Sequence, residues 1–233
     1  MRAFDGRPVV VTGASGELGL AVARIVVERG GRVVAPVRGQ DLPGALMGLG
    51  AAVRVVPGVD LTDAPAVERL YDGIPDLFAS VHCAGGFAMG KIGDLQATDL
   101  DKMLAINTVT AFLCCRSSVG AIRRAGGGGR IVNVVSQQAL DPRRGSGMIP
   151  YTMSKAALAA LTVALAEELA PEGIWVNAVA PSTMDTKANR EAMPKADVAR
   201  WPKLEEVAEV AVFLASPENR TARGGIVPVF GRS

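Results

Sequence analysis

Short apolar runs and longer amphipathic stretches alternate along the chain, with neither linker nor repeat between them. Pro8-Val-Val-Val-Thr-Gly13 is apolar and β-rich, which predicts a strand. Leu18 to Arg29 is apolar at Leu18, Val22, Ile25 and Val26, which predicts a helix ending at Gly30-Gly31. The same reading places strands at 32–37, 53–56, 77–83, 131–135, 174–180 and 226–229. Helices are expected over 98–124 with a break around Asn107, over 150–170 and over 204–215. Such alternation implies one α/β domain spanning 1–233, with a doubly wound parallel sheet of about seven strands flanked by helices. Ligands of such sheets bind at the carboxyl ends of the strands.

Candidate chemistry falls at those ends. Gly13-Ala-Ser-Gly16-Glu-Leu-Gly19 lies between the first strand and the first helix. Glycines there permit a tight turn, close backbone approach to a pyrophosphate and close helix–strand packing. The free N–H groups and the dipole of the helix start then receive the phosphate charge. This opening predicts a Rossmann dinucleotide-binding domain. Further along, Ser136 ends the fifth strand, and Tyr151-Thr-Met-Ser-Lys155 opens the following helix. A spacing of four sets Tyr151 and Lys155 on one helix face. A free tyrosine, with a pKa of roughly 10, is too weak an acid for proton transfer near neutrality. A neighbouring ammonium is expected to lower that value.

Taken together, Thr12-Gly13-x-x-Gly16-x-x-Gly19, Asn107, Ser136 and Tyr151-x-x-x-Lys155 resemble the short-chain dehydrogenase/reductase family from about residue 7 to about residue 230. The resemblance implies that Ser136 holds a substrate oxygen and that Tyr151 is the general acid/base. Lys155 would lower the tyrosine pKa and bind the nicotinamide ribose, and Asn107 would fix a proton-relay water. Cofactor contacts are implied for Gly13, Ser15, Gly16, Glu17, Leu18 and Gly19, and again for Ala84, Gly85 and Pro181. The Met184 backbone and the Thr186 side chain would meet the nicotinamide. Asp60-Leu61 resembles the family's adenine-binding pair, though a helix N-cap before Asp63 explains Asp60 nearly as well. The family also implies a homotetramer or homodimer, formed through the helices at 98–124 and 151–170.

Several positions depart from the family pattern. His82-Cys83-Ala84-Gly85 stands where Asn-Asn-Ala-Gly is usual, and Pro181-Ser182 where Pro-Gly is usual. His82, the only histidine, reads as a packed strand residue rather than an acid–base group. The Ser136–Tyr151 interval is longer than usual, with its excess in the turn-rich run Asp141 to Gly147. Gly147 to Lys155 and Asp185 to Asp197 are similar to the dihydropteridine-reductase branch, which typically lacks a serine at the position of Ser136. The second strand ends in Val37-Arg38-Gly39, with no carboxylate before Asp41. Arg38 therefore favours NADP(H), while the pteridine-reductase likeness draws toward NAD(H).

Composition narrows the partners. A net charge of +2, without a basic run or aromatic stripe, offers nothing for nucleic acid or an anionic membrane. The N-terminus lacks a signal-peptide core, and the longest apolar stretch, near 156–166, falls short of the ~20 residues that span a bilayer. Cys83, Cys114 and Cys115 lack metal-ligand spacing and read as reduced thiols of a cytoplasmic protein, with no metal expected. The polar segment 182–203 is expected to form a substrate lid, in which Met184, Met193 and Trp201 either line a pocket or pack the lid down. Phe87 and Met89 would face the cavity from the opposite side. These readings predict an NAD(P)H-dependent carbonyl reductase or alcohol dehydrogenase acting on a small carbonyl or hydroxyl compound. The alternatives are a quinonoid dihydropteridine reductase and a non-catalytic dinucleotide-binding regulator.

Overall fold

The computed structural model describes residues 3–233; Met1 and Arg2, within the stretch read for a signal peptide, lie outside it. Seven parallel strands form one sheet: β1 (Pro8–Thr12), β2 (Arg32–Pro36), β3 (Val53–Val56), β4 (Ala79–His82), β5 (Gly129–Val134), β6 (Ile174–Pro181) and β7 (Ile226–Val229). Their spatial order is β3-β2-β1-β4-β5-β6-β7, so the winding reverses between β1 and β4 and opens a crevice there. All five residues of β1 are buried, as an inner strand covered on both faces requires.

Strand alternation divides the core into two layers. Val9 and Val11 face α1 (Glu17–Glu28) and α9 (Leu204–Ala215), packing with Val22, Val26, Ala208 and Val212. Val10 points the other way, toward α3 (Ala64–Asp72) and α5 (Thr110–Arg124), with Leu70, Tyr71, Cys114 and Ile122. Each fully buried valine or leucine contributes about 1.5–3 kcal/mol. These layers fix the sheet rigidly beneath the crevice.

The break expected around Asn107 is a π-helical turn, Ala105–Val109, joining α4 (Ala97–Leu104) to α5 without interruption. The resulting helix, 97–124, and the helical stretch 149–172 are both long and apolar enough to cross a bilayer by length and composition. This corrects the shorter stretch read from the sequence. Much of that apolarity lies in contacts within the fold: α5 packs on β4 and β5, and α7 (Ile149–Leu169) packs on β6.

Short helices account for most of the unexpected structure. α2 (Gly44–Met47), α6 (Gln137–Leu140) and α8 (Lys187–Ala192) have too few turns to show a period. The helix α3 did carry one, with Val67, Leu70 and Tyr71 on its buried face. Strand β4 is shorter than the expected 77–83, and β5 begins two residues before 131.

Candidate active site

At the end of β1 the backbone turns through Gly13, whose φ is +67°. A Cβ there would lie 2.6 Å from the Ala84 nitrogen, so β1 and the loop after β4 can meet only at glycine. At Gly19 a Cβ would sit 2.3 Å from the Gly13 carbonyl oxygen, which sets how closely α1 follows the strand. Gly16 caps α1 without supplying a side-chain acceptor, so the first-turn N–H groups remain available to an anion. Ser15, Gly16 and Glu17 are exposed along this turn, while Leu18 is turned into the core. This is a cradle that fits a pyrophosphate.

Arg38, beyond the end of β2, is 82% exposed at its side chain and lies 3.1 Å from the Asp60 carboxylate. The other Asp60 oxygen accepts from the Thr62 hydroxyl at 2.7 Å and the Thr62 N–H at 2.9 Å. Those bonds, with Arg38 adding less, hold the carboxyl below its usual pKa. Asp60 is therefore not the helix cap; Asp63 occupies that position at α3, and Leu61 follows Asp60 in the same turn.

The catalytic candidates converge at the ends of β5 and the start of α7. Ser136 leaves β5 in extended backbone at the N-cap of α6, but its hydroxyl makes no capping bond. It is buried, and its Oγ has no hydrogen-bond partner. That oxygen lies close enough to favour the Tyr151 phenolate, though outside hydrogen-bond geometry. The long interval between them is absorbed by a 3-10 turn, Pro142–Gly145, and by Gly147 at φ +74°. A buried, unsatisfied hydroxyl is costly unless something accepts its proton bond, and a substrate oxygen would.

Lys155 lies one helical turn beyond Tyr151 in α7. Its Nζ is buried, donates to the Val134 carbonyl at 2.8 Å and stands 6.0 Å from the Tyr151 ring centre. Burial lowers the ammonium to a pKa of about 8, opposed by the nearby Cys83 sulfur. Burial likewise raises the Tyr151 phenol, and Ser136 is the group that lowers it. In this structure the ammonium is engaged with the strand backbone, and Ser136 is the neighbour that favours the phenolate.

Asn107, on the π turn, is fully buried and spans the cleft. Its Oδ1 accepts the Gly86 N–H at 2.9 Å, while Nδ2 donates to the Gly86 carbonyl at 3.0 Å and to Ser154 Oγ at 3.1 Å. Ser154 in turn donates to the Tyr151 carbonyl at 2.7 Å. Asn107 thus positions the loop carrying Ala84 and Gly85. At Gly85 a Cβ would lie 2.6 Å from Asn107 Oδ1 and 3.4 Å from Lys155 Nζ, so this loop also needs glycine. Ser154 was missed by sequence reasoning, although it precedes Lys155 by one residue and lies one helical turn from Tyr151.

Across the cleft, Pro181 ends β6 opposite Val229. The Met184 carbonyl already accepts from Thr186 N at 2.9 Å and Asn189 Nδ2 at 2.8 Å. Thr186 Oγ1 accepts the Asn189 N–H and caps α8, leaving its O–H proton free to donate. His82 is fully used in the core: its ring nitrogens meet Ser80 Oγ and Asn133 Oδ1, each at 2.8 Å. Burial holds it at a pKa of about 4, so it is neutral and takes no part in acid–base chemistry near neutrality. Burial raises the thiols of Cys83 and Cys114 to about 12, and among the described residues no metal-ligand cluster occurs.

Known proteins share this organisation. The family model described as short chain dehydrogenase matches residues 7–197. An uncharacterized oxidoreductase of Thermotoga maritima is 31% identical, covering 99% of this chain and 98% of the relative. A galactitol 2-dehydrogenase of Rhizobium johnstonii is 34% identical, covering 97% of this chain and 94% of its own length. Among solved structures, a short-chain type dehydrogenase/reductase from Mycobacterium ulcerans superposes with a TM-score of 0.91 at 27% identity, covering 99% of this chain and 90% of that one. A glycine-lined phosphate cradle, a parallel sheet reversing beside it, and serine, tyrosine and lysine brought to one cleft therefore place this chain in the short-chain dehydrogenase family.

Proposed function

We propose that the chain is an NAD(P)H-dependent carbonyl reductase or alcohol dehydrogenase acting on a small carbonyl or hydroxyl compound. The observation that carries this reading is the buried, unpartnered Ser136 hydroxyl beside Tyr151. When bound, the nicotinamide supplies or accepts the hydride. Gly13 to Gly19 would hold its pyrophosphate, Arg38 and Asp60 the adenosine end, and Lys155 the ribose. Ser136 Oγ donates to the substrate oxygen and fixes it next to the phenol. Tyr151 gives its proton to the developing alkoxide in reduction and removes the hydroxyl proton in the reverse direction. Lys155, released from the Val134 carbonyl toward the cleft, lowers the phenol pKa and relays a proton from solvent water to the phenolate. The Asn107 amide holds Gly86, and with it the cofactor-facing loop, in place.

Arg38 favours NADP(H), since an exposed guanidinium with one long ion pair can turn to a 2′-phosphate. The segment 182–203 serves as the substrate lid. Assembly as a homotetramer or homodimer uses the outer faces of α5 and α7, where Phe112, Met153 and Val163 are exposed. A solution mass of one chain, 24.1 kDa, would exclude it. Three free thiols suit the cytoplasm.

The test is carbonyl reduction by Ser136→Ala and Tyr151→Phe. Each is expected to lower kcat/KM by about 100-fold or more. Retention of pteridine reduction by Ser136→Ala would bring the dihydropteridine-reductase reading forward, because that chemistry does not need the serine. Cofactor binding with no turnover across a broad carbonyl panel would support a dinucleotide-binding regulator instead.

A further inference from the structure

Phe87 is a large aromatic side chain left 58% exposed, yet its surroundings are fixed. On one side, Gly86 is held through both backbone groups by Asn107. On the other, Gly90 N–H donates to the Gly147 carbonyl at 2.8 Å, and Gly90 pairs with Met148 as an isolated bridge. The Phe87 ring meets Tyr151 edge to face, with centroids 4.9 Å apart and planes at 77°. Aromatic pairs favour this geometry, so the ring is held at the reacting phenol rather than free in solvent. A second face of Phe87 remains uncovered.

Other exposed apolar side chains lie on the neighbouring segments. Met89 is 65% exposed, Leu140 closes the short helix after Ser136, and Ile149 precedes Tyr151 by two residues. A cavity of about 240 Å3 is lined by Met89, Leu95 and Pro150 together with Asp94 and Asp99. A volume of that size is large enough for one aromatic ring. A polyol, by contrast, would bring hydroxyls against Phe87, Met89 and Pro150, which offer them no hydrogen bonds, leaving Asp94 and Asp99 as the carboxylates of the cavity lining to receive them.

Building on the carbonyl-reductase reading, we propose that Phe87 is a specificity-determining residue and that the substrate carries a planar apolar group beside its carbonyl. The carbonyl oxygen sits at Ser136 and Tyr151. The flat substituent lies on the open face of Phe87 and extends toward Met89 and Pro150. This chain is thus fitted to aryl carbonyl compounds or aryl alcohols rather than to sugar alcohols.

Steady-state reduction of benzaldehyde and dihydroxyacetone by the NADPH- or NADH-loaded enzyme tests the proposal, with Phe87→Ala and Tyr151→Phe in parallel. Benzaldehyde is expected to lead in kcat/KM by about 100-fold, the contrast that a site with unmet hydroxyls produces. Phe87→Ala should raise the benzaldehyde KM about tenfold and leave dihydroxyacetone within about twofold, because only the flat substituent touches the ring. Equal use of both compounds overturns the proposal. So does a Phe87→Ala loss shared by both and confined to kcat, which would make Phe87 only a brace for Tyr151. If neither compound turns over, or Tyr151→Phe keeps full activity, the carbonyl-reductase reading fails separately. Saturation-transfer NMR with benzyl alcohol and glycerol on the cofactor-loaded protein then decides the pocket. Benzyl alcohol binding lost in Phe87→Ala supports it; binding indifferent to that change refutes it.

Discussion

Asn107 grips Gly86 by both of its backbone groups, at 2.9 and 3.0 Å, and so couples a π turn in one helix to the loop after β4. A straight α-helix would place the following residues elsewhere on the cylinder. The widened turn at 105–109 sets Asn107 inward, where its amide also reaches Ser154 on the Tyr151 helix. Three segments are thereby held in one register by a single side chain.

Replacing Asn107 with leucine should therefore destabilise the protein by about 1–3 kcal/mol, since it leaves both backbone groups of the partly buried Gly86 without their partner, while Ser154 keeps its bond to the Tyr151 carbonyl. Denaturant unfolding measures this. The kcat for carbonyl reduction should fall further than stability alone explains, because the loop carrying Gly85 loses its anchor. A variant with unchanged stability would show that water replaces the amide.

Arg38 and Asp60 stand 3.1 Å apart at the expected adenosine end of the cleft. Arg38→Ala should weaken NADPH binding by about 10- to 100-fold, the worth of a charge-assisted pair to a phosphate, and leave NADH nearly unchanged. Fluorescence titration with both dinucleotides reads this directly. Equal weakening of both would assign Arg38 to the adenine ring, and a native preference for NADH would remove the case for NADP(H).

His82 supplies a pH dependence of stability. Its folded pKa, about 4, lies below the ordinary imidazole value of 6.5 because burial disfavours the imidazolium. Between those values the unfolded chain binds the proton and the folded chain does not, so stability falls as pH drops through that window. The loss by pH 4 is roughly 3 kcal/mol, from 1.36 kcal/mol for each pKa unit. His82→Asn should unfold with a flatter acid limb between pH 6.5 and 4. An identical limb would place the acid sensitivity elsewhere.

The C-terminal turn fastens the proposed lid. Arg232 N–H donates to the Arg200 carbonyl at 2.8 Å, Arg200 Nε donates to the Arg232 carbonyl at 3.1 Å, and Ser182 Oγ donates to the Phe230 carbonyl at 3.1 Å. Between them Gly231 has φ +61°, and a Cβ there would lie 2.8 Å from both the Arg200 oxygen and the Pro202 nitrogen. Gly231→Ala should release this fastening. Hydrogen exchange across 182–203 is expected to speed up, and KM to rise about tenfold with a smaller change in kcat. Unaltered exchange would show that the tail does not restrain the lid.

Much of this molecule is legible along the chain. Buried parallel strands have a short apolar signature, glycine spacing marks where backbone must approach backbone, and a four-residue helical spacing is visible as such. These features suffice for the sheet, for the glycine turn after β1 and for the meeting of Ser136, Tyr151 and Lys155 at one end of it. His82 was also readable as a core residue, since it sits inside a strand. Relations between distant segments were not readable. The Asn107 bonds to Gly86, the engagement of Lys155 with Val134, the Phe87 ring against Tyr151 and the Gly231 contact with the lid join residues separated by 21 or more positions. Local pattern reports which face of an element is buried. Which partner it meets there, and whether burial raises or lowers a proton affinity, is set only when the elements pack and water is excluded.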